Sequence, residues 1–229
     1  MARKAKVDNS VIKRLARVDK ARSIGILDQR KYFLIVCEGE QTEPNYFEGL
    51  KQDLPPNVLT LFNIDVEGTG KNTTSLVRYA ISKQKSRTTP YDEVWVVFDR
   101  DSFTPIQFNS AIKQAEEKKI NVAWTNEAFE LWYLLHFNYH DSALNRNQYQ
   151  KKLEKEISLK SGMPFKYRKN DKNIYSLLKE HGNQKLAISN ATKLNKIWLD
   201  KNFASHNPCT TVHVLVKKHC SLTTLRLCN

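Results

Sequence analysis

Two apolar runs in this chain end in clustered carboxylates. Residues 32–37 lead into Glu38, Glu40 and Glu43, and residues 94–98 lead into Asp99 and Asp101. Both runs are apolar on successive residues, as strands buried in a parallel sheet are. Carboxylates gathered at one sheet edge repel each other unless a proton or a cation intervenes. A hard cation such as Mg²⁺ or Mn²⁺ takes one or two of them directly and keeps other positions for water and phosphate oxygens. It can then polarise a phosphodiester or orient a water. Glu38, Asp99 and Asp101 are the expected core of such a site. Glu43 is a further catalytic candidate, and it also reads as a helix N-terminal acid favoured by the dipole. Glu40 reads mostly as a neighbour. Glu130 lies inside the apolar stretch F-E-L-W-Y-L-L-H-F (129–137). An ionised carboxylate there must be metal-bound, paired with a base such as Arg100 or His136, or protonated. His136 itself fits an ordinary core histidine.

Bases are expected around this acidic centre. The formal net charge is +13, which favours polyanions as partners without setting specificity. The loop E-G-T-G-K-N-T (67–73) fails the ATP-binding phosphate-loop pattern, because Asn72 follows Lys71 and Asp65 stands where the first glycine belongs. Lys71 nevertheless follows the second strand, on the same edge, and is a candidate phosphate ligand. Arg100 is another. Lys166, Arg168, Lys169 and Lys172, with Phe165 and Tyr167 interleaved, read as a grip on a nucleic-acid backbone with a base stacked. A solvated surface explains that run equally well.

The elements that must position these residues alternate. Strands are expected over residues 32–37, 59–66, 94–98 and 121–125. Helices begin near Thr42-Pro44, Thr73 and Ser102–Pro105. The β-α-β-α-β-α-β order implies an α/β fold with a parallel sheet flanked by helices, whose strand C-termini form the ligand edge. Residues 127–137 read as a buried helix. From residue 142 onward the pattern is helical only, including a shared face for Leu194, Ile197 and Trp198. The expected organisation is a basic N-terminal arm (1–30), helical near residues 11–18, then an α/β domain (31–141) and a C-terminal helical lobe (142–229).

A chain of 229 residues with 40% hydrophobic content can bury a full core. No apolar run approaches the ~20 residues that span a bilayer, and the first residues lack an apolar signal core. We expect a cytoplasmic protein. The cysteines Cys37, Cys209, Cys220 and Cys228 contain no C-x-x-C pair. Zinc is therefore not expected, and reduced thiols are.

Glu38-Gly39 after one strand and Asp99-x-Asp101 after a later one resemble the Toprim domain of topoisomerases, bacterial primases and related nucleases. V-C-E-G-E-Q-T-E-P-N-Y-F (36–47), V-W-V-V-F-D-R-D (94–101), F-E-L-W-Y-L-L-H-F (129–137) and N-P-C-T-T-V (207–212) together look like the RloB-like family, whose relatives include the AbiLii abortive-infection proteins. The resemblance covers residues 30–217. It implies a Toprim-like domain and a Mg²⁺- or Mn²⁺-dependent nuclease that cleaves DNA or RNA in prokaryotic antiviral defence, beside a separate ATPase subunit. Glu38 matches the first Toprim acid, and Asp99 and Asp101 match the D-x-D pair. Related nucleases place another acid four residues after the first; here that position is Thr42, and Glu43 comes one later. Two other classes remain: a non-hydrolytic nucleotidyl or phosphoryl transferase, and a nucleic-acid- or protein-binding subunit without activity of its own.

Overall fold

The computed structural model describes residues 30–101 and 103–224. The arm expected over residues 1–30 lies, but for Arg30, outside the described residues, as do Ser102 and Cys228. The described residues from Lys31 onward form one compact unit.

Four strands run parallel: β1 (Lys31–Cys37), β2 (Phe62–Gly68), β3 (Glu93–Asp99) and β4 (Asn121–Asn126), in the spatial order β2-β1-β3-β4. Side chains alternate between the two faces. Phe33, Ile35 and Cys37 of β1 and Trp95 and Val97 of β3 enter one core, while Leu34, Val36, Val94, Val96 and Phe98 enter the other. This is the expected α/β class, with helices on both sides.

Several of the helices start where the sequence supplies a side-chain cap. The helices are α1 (Thr42–Gln52), the one-turn α2 (Pro56–Leu59), α3 (Thr73–Ser86), α4 (Pro105–Glu117), α5 (Glu130–Leu134), α6 (Arg146–Ser161), α7 (Ile174–His181), α8 (Gln184–Asn195) and α9 (Val212–Thr224). The Asn72 side chain accepts from the Ser75 N–H at the start of α3. Thr104 with Gln107 and Asn145 with Gln148 form reciprocal caps at α4 and α6. Gly162, at φ +70°, ends α6. The α3 and α4 helices cover one face. The α1 helix and α5–α9 share the other core with the sheet itself.

Several local expectations need correction. The second strand begins at Phe62 rather than 59, because Pro55-Pro56 opens one further helical turn before it. The helix expected over 127–137 is regular only over Glu130–Leu134, with turns on either side. The segment after residue 142 is not wholly helical. A two-residue strand, β5 (Cys209–Thr210), pairs antiparallel with β4. Its threonines explain the pairing: Thr210 and Thr125 hydroxyls meet at 3.0 Å, and the Trp124 N–H donates to Thr211 Oγ1 at 2.8 Å. Ile197, expected to face inward, is 55% exposed because α8 ends at Asn195. No helix among the described residues is long and apolar enough to cross a membrane.

Besides His206, which pairs with Asp200, the histidines His136, His213 and His219 are buried in the folded protein. Burial lowers each to about 4. The unfolded chain takes up these protons near the ordinary value of 6.5. The folded state stays neutral while the unfolded state charges. The histidine contribution is therefore present above pH 6.5 and is lost as the pH falls toward 4. Urea unfolding should show a smaller loss of stability between pH 7 and pH 5 in His136→Gln than in the wild type. The comparison isolates the histidine from the carboxylates, and an identical loss in both proteins would contradict it.

Candidate metal and phosphate site

Parallel pairing brings the two acidic strand ends side by side. Cys37 pairs with Val97 across β1 and β3, and the Glu38 N–H donates to the Val97 carbonyl at 2.9 Å. Glu38 thus emerges beside Asp99, whose backbone N–H donates to Glu38 Oε2 at 3.3 Å. Both acids stand at the C-terminal edge of adjacent central strands, where open parallel sheets bind ligands.

The first turn of α1 returns Glu43 to the same place. Gly39 is what lets it approach. A Cβ on Gly39 would lie 2.1 Å from Glu43 Oε2, closer than any side chain tolerates. Gly70, at φ +60°, brings the loop after β2 against the Glu40 side chain. Thr69 ties that loop to β1 through its hydroxyl, which donates to the Cys37 carbonyl. Lys71 follows directly.

A cleft of about 370 Å³ results, and Glu38, Glu43, Asp99, Asp101, Lys71 and Lys169 all line it. Arg146, the first residue of α6, joins them. Its guanidinium donates to Asp99 Oδ2 at 3.1 Å and to Asp101 Oδ2, and its Nε lies 3.7 Å from Glu130 Oε2. Glu130 is 1% exposed and stands behind this guanidinium, with its other oxygen accepting from Gln150 Nε2 at 2.9 Å. Of the two bases weighed for Glu130 in the sequence, neither is the partner. The partner is Arg146. His136 bonds the Trp132 carbonyl through Nδ1 in the core and lies outside the cleft.

Other expected contacts fall elsewhere. The Thr42 hydroxyl donates to the Lys169 carbonyl and fastens that loop to α1. Lys169 lines the cleft, whereas Lys166 and Arg168 line a separate hollow with Lys172. Lys166 pairs with Glu154 at 3.1 Å. Tyr167 is only 9% exposed, so its ring packs inward rather than offering a stacking face. Arg100 and Glu40 do not line the cleft. Cys37 and Cys209 are buried free thiols.

The electrostatics are those of crowded acids. Burial, then the charge of Glu43, raises Glu38 to about 7. Burial raises Glu43 as well, with Glu130 adding to it. Asp99 is pushed well up by burial and by Glu43, against the pull of Arg146. Asp99 Oδ2 accepts from Arg146 and from the Phe129 N–H. Asp99 Oδ1 and Glu43 Oε2, both buried, have no hydrogen-bond partner. Such oxygens, in a cleft that also holds two lysines, suit a hard cation and a phosphate. Among the described residues no group of three or more His, Cys, Asp or Glu side chains is preformed as an ion cage. Arg146 stands between the carboxylates instead.

Sequence reasoning missed Arg146. One signal was available: a cation in the first turn of a helix meets the positive end of its dipole. Such a residue at that position points to an acidic partner elsewhere in the fold.

A family model described as RloB-like protein matches residues 33–218. No curated protein and no solved structure matches the chain.

Proposed function

This chain belongs to the RloB-like family, and we propose that it is a metal-dependent, Toprim-type nuclease of prokaryotic antiviral defence. The observation that carries the proposal is the meeting of Glu38, Glu43 and Asp99 at one strand edge, with buried carboxylate oxygens left unpartnered and Lys71 and Lys169 beside them. Glu38, Glu43, Asp99 and Asp101, which line the cleft, are the residues that would hold Mg²⁺ or Mn²⁺, whereas Glu130, expected as a ligand, stands outside the cleft lining behind Arg146. A bound ion of that kind supplies Lewis-acid polarisation of a phosphodiester and stabilises the leaving oxygen. Lys71 and Lys169 hold flanking phosphates. Lys71 extends from the loop before α3, with its ammonium 5.3 Å from the Tyr79 ring centre. The defence role and a separate ATPase partner follow from what the RloB-like and AbiLii resemblance implies. The cytoplasm is the compartment that fits such a role.

The test is cleavage of plasmid DNA and of tRNA with Mn²⁺, by the wild type and by Asp99→Ala. The expected result is cleavage by the wild type alone. Equal cleavage by both proteins would sink the assignment.

Gly39→Ala should act on the same site indirectly. The added methyl would meet only the Glu43 carboxylate, the end of a side chain and not backbone, so the melting temperature should hardly change. Cleavage should fall on the order of 10²-fold, as it does when a catalytic group is misplaced. Unchanged cleavage would remove Glu43 from the site.

A second reading has one observation in its favour. Arg146 already pairs with Asp99, Asp101 and Glu130, as a purely structural ion network would. The protein would then be a binding subunit without chemistry. Calorimetric titration separates the two, since that reading predicts no uptake of Mg²⁺ or Mn²⁺.

A further inference from the structure

We infer that Arg146 is a resident cation of the acid cluster, which it holds until a divalent ion competes for the same carboxylates. The inference rests on the metal-site reading above and extends it to how that site is filled.

Three observations carry it. Arg146 is the one side chain that pairs with Asp99, Asp101 and Glu130 together among the described residues. It comes from α6, whereas Asp99 ends β3, Asp101 follows it and Glu130 opens α5, so the fold delivers it to them from a separate element. Two buried carboxylate oxygens, Asp99 Oδ1 and Glu43 Oε2, remain unpartnered beside it. The guanidinium therefore satisfies the cluster only in part. A partly satisfied buried acid cluster retains affinity for a second, more compact cation.

The consequence for the site is an exchange. Arg146 lines the same cleft as Lys71 and Lys169. When it leaves the carboxylates, its planar fork faces that cleft, where it matches the paired oxygens of a phosphate. The carboxylates change partner, and the guanidinium changes from a structural ion pair to a phosphate ligand. The chain then never leaves its buried acids without a counter-charge.

Mn²⁺ titration by calorimetry tests this on the full chain. Wild type, Arg146→Ala, Arg146→Gln and Lys155→Ala are compared. Arg146→Gln keeps an amide donor in the cleft and guards against loss of the fold. Lys155, exposed on the same helix, controls for the change in net charge. Removing a competing charge that is held at contact distance should raise Mn²⁺ affinity about tenfold or more in both Arg146 variants. Lys155→Ala should bind as the wild type does. In the absence of metal, Arg146→Ala should melt at a lower temperature, and Mn²⁺ should restore it. If Mn²⁺ binds wild type and Arg146 variants equally, the exchange is overturned and the metal site stands. If Mn²⁺ binds none of the proteins, the metal reading falls, and the exchange with it.

Discussion

Asp99→Asn should lose cleavage by about 10³-fold or more, the scale of removing a metal's main carboxylate, and yet fold at least as stably as the wild type. Asp99 is 4% exposed. Burial, then the charge of Glu43, holds its pKa well above the ordinary carboxylate range. The folded state therefore binds this proton more tightly than the unfolded chain does. Ionised Asp99 weakens the fold at neutral pH, and a neutral amide of the same shape removes that cost. The amide oxygen still accepts from the Phe129 N–H, which reaches Oδ2 at 3.0 Å. Arg146 keeps Asp101 and Glu130. Thermal melting and cleavage measured on the same preparation check both halves. An inactive variant that also melts many degrees lower would mean that Asp99 is a structural residue. An active variant would remove it from the chemistry.

Tyr46→Ala should destabilise the protein by about 3–5 kcal/mol, the usual cost of deleting a buried aromatic ring. That is a large share of the ~5–15 kcal/mol that holds a typical domain together. Tyr46 is fully buried. Its ring meets Phe47, Phe129, Trp132, Tyr133, His136 and Tyr175 at centroid distances of 5.3–6.3 Å, mostly edge to face. These rings join α1, which carries Glu43, to the segment that carries Glu130. The Tyr133 hydroxyl adds a bond to the Thr42 carbonyl at 3.0 Å. Losing the ring thus loosens two acids as well as the core. Urea unfolding measures it, and a loss below ~1 kcal/mol would show that the cluster adds little.

The strand ends were legible because the physics there is local. An apolar run followed by acids reads as a parallel strand reaching the ligand edge, and β1 and β3 do pair side by side. Glu38, Asp99 and Asp101 came to one cleft as expected. Glu43 was less legible, since its approach depends on a missing Cβ at Gly39. Among the basic residues, the run 166–169 could not be divided from sequence. Lys169 enters the cleft on a loop that bonds Thr42 through its carbonyl, a tertiary contact with no local signal, and burial of Tyr167 is likewise a packing outcome. Arg146 lies 45 residues from Asp101 in the chain, and no periodicity spans that distance. The short β5 went unread because two residues carry no alternation, and its pairing with β4 is fixed by threonine hydroxyls.

The most direct measurement is a crystal structure of the full chain soaked in Mn²⁺, with anomalous scattering collected at the manganese edge. The expected result is a peak in the cleft, with Asp99 among its ligands and the Arg146 guanidinium moved off the carboxylates. A peak elsewhere on the molecule, or a cleft in which Arg146 still bridges Asp99 and Asp101 in saturating Mn²⁺, would contradict it.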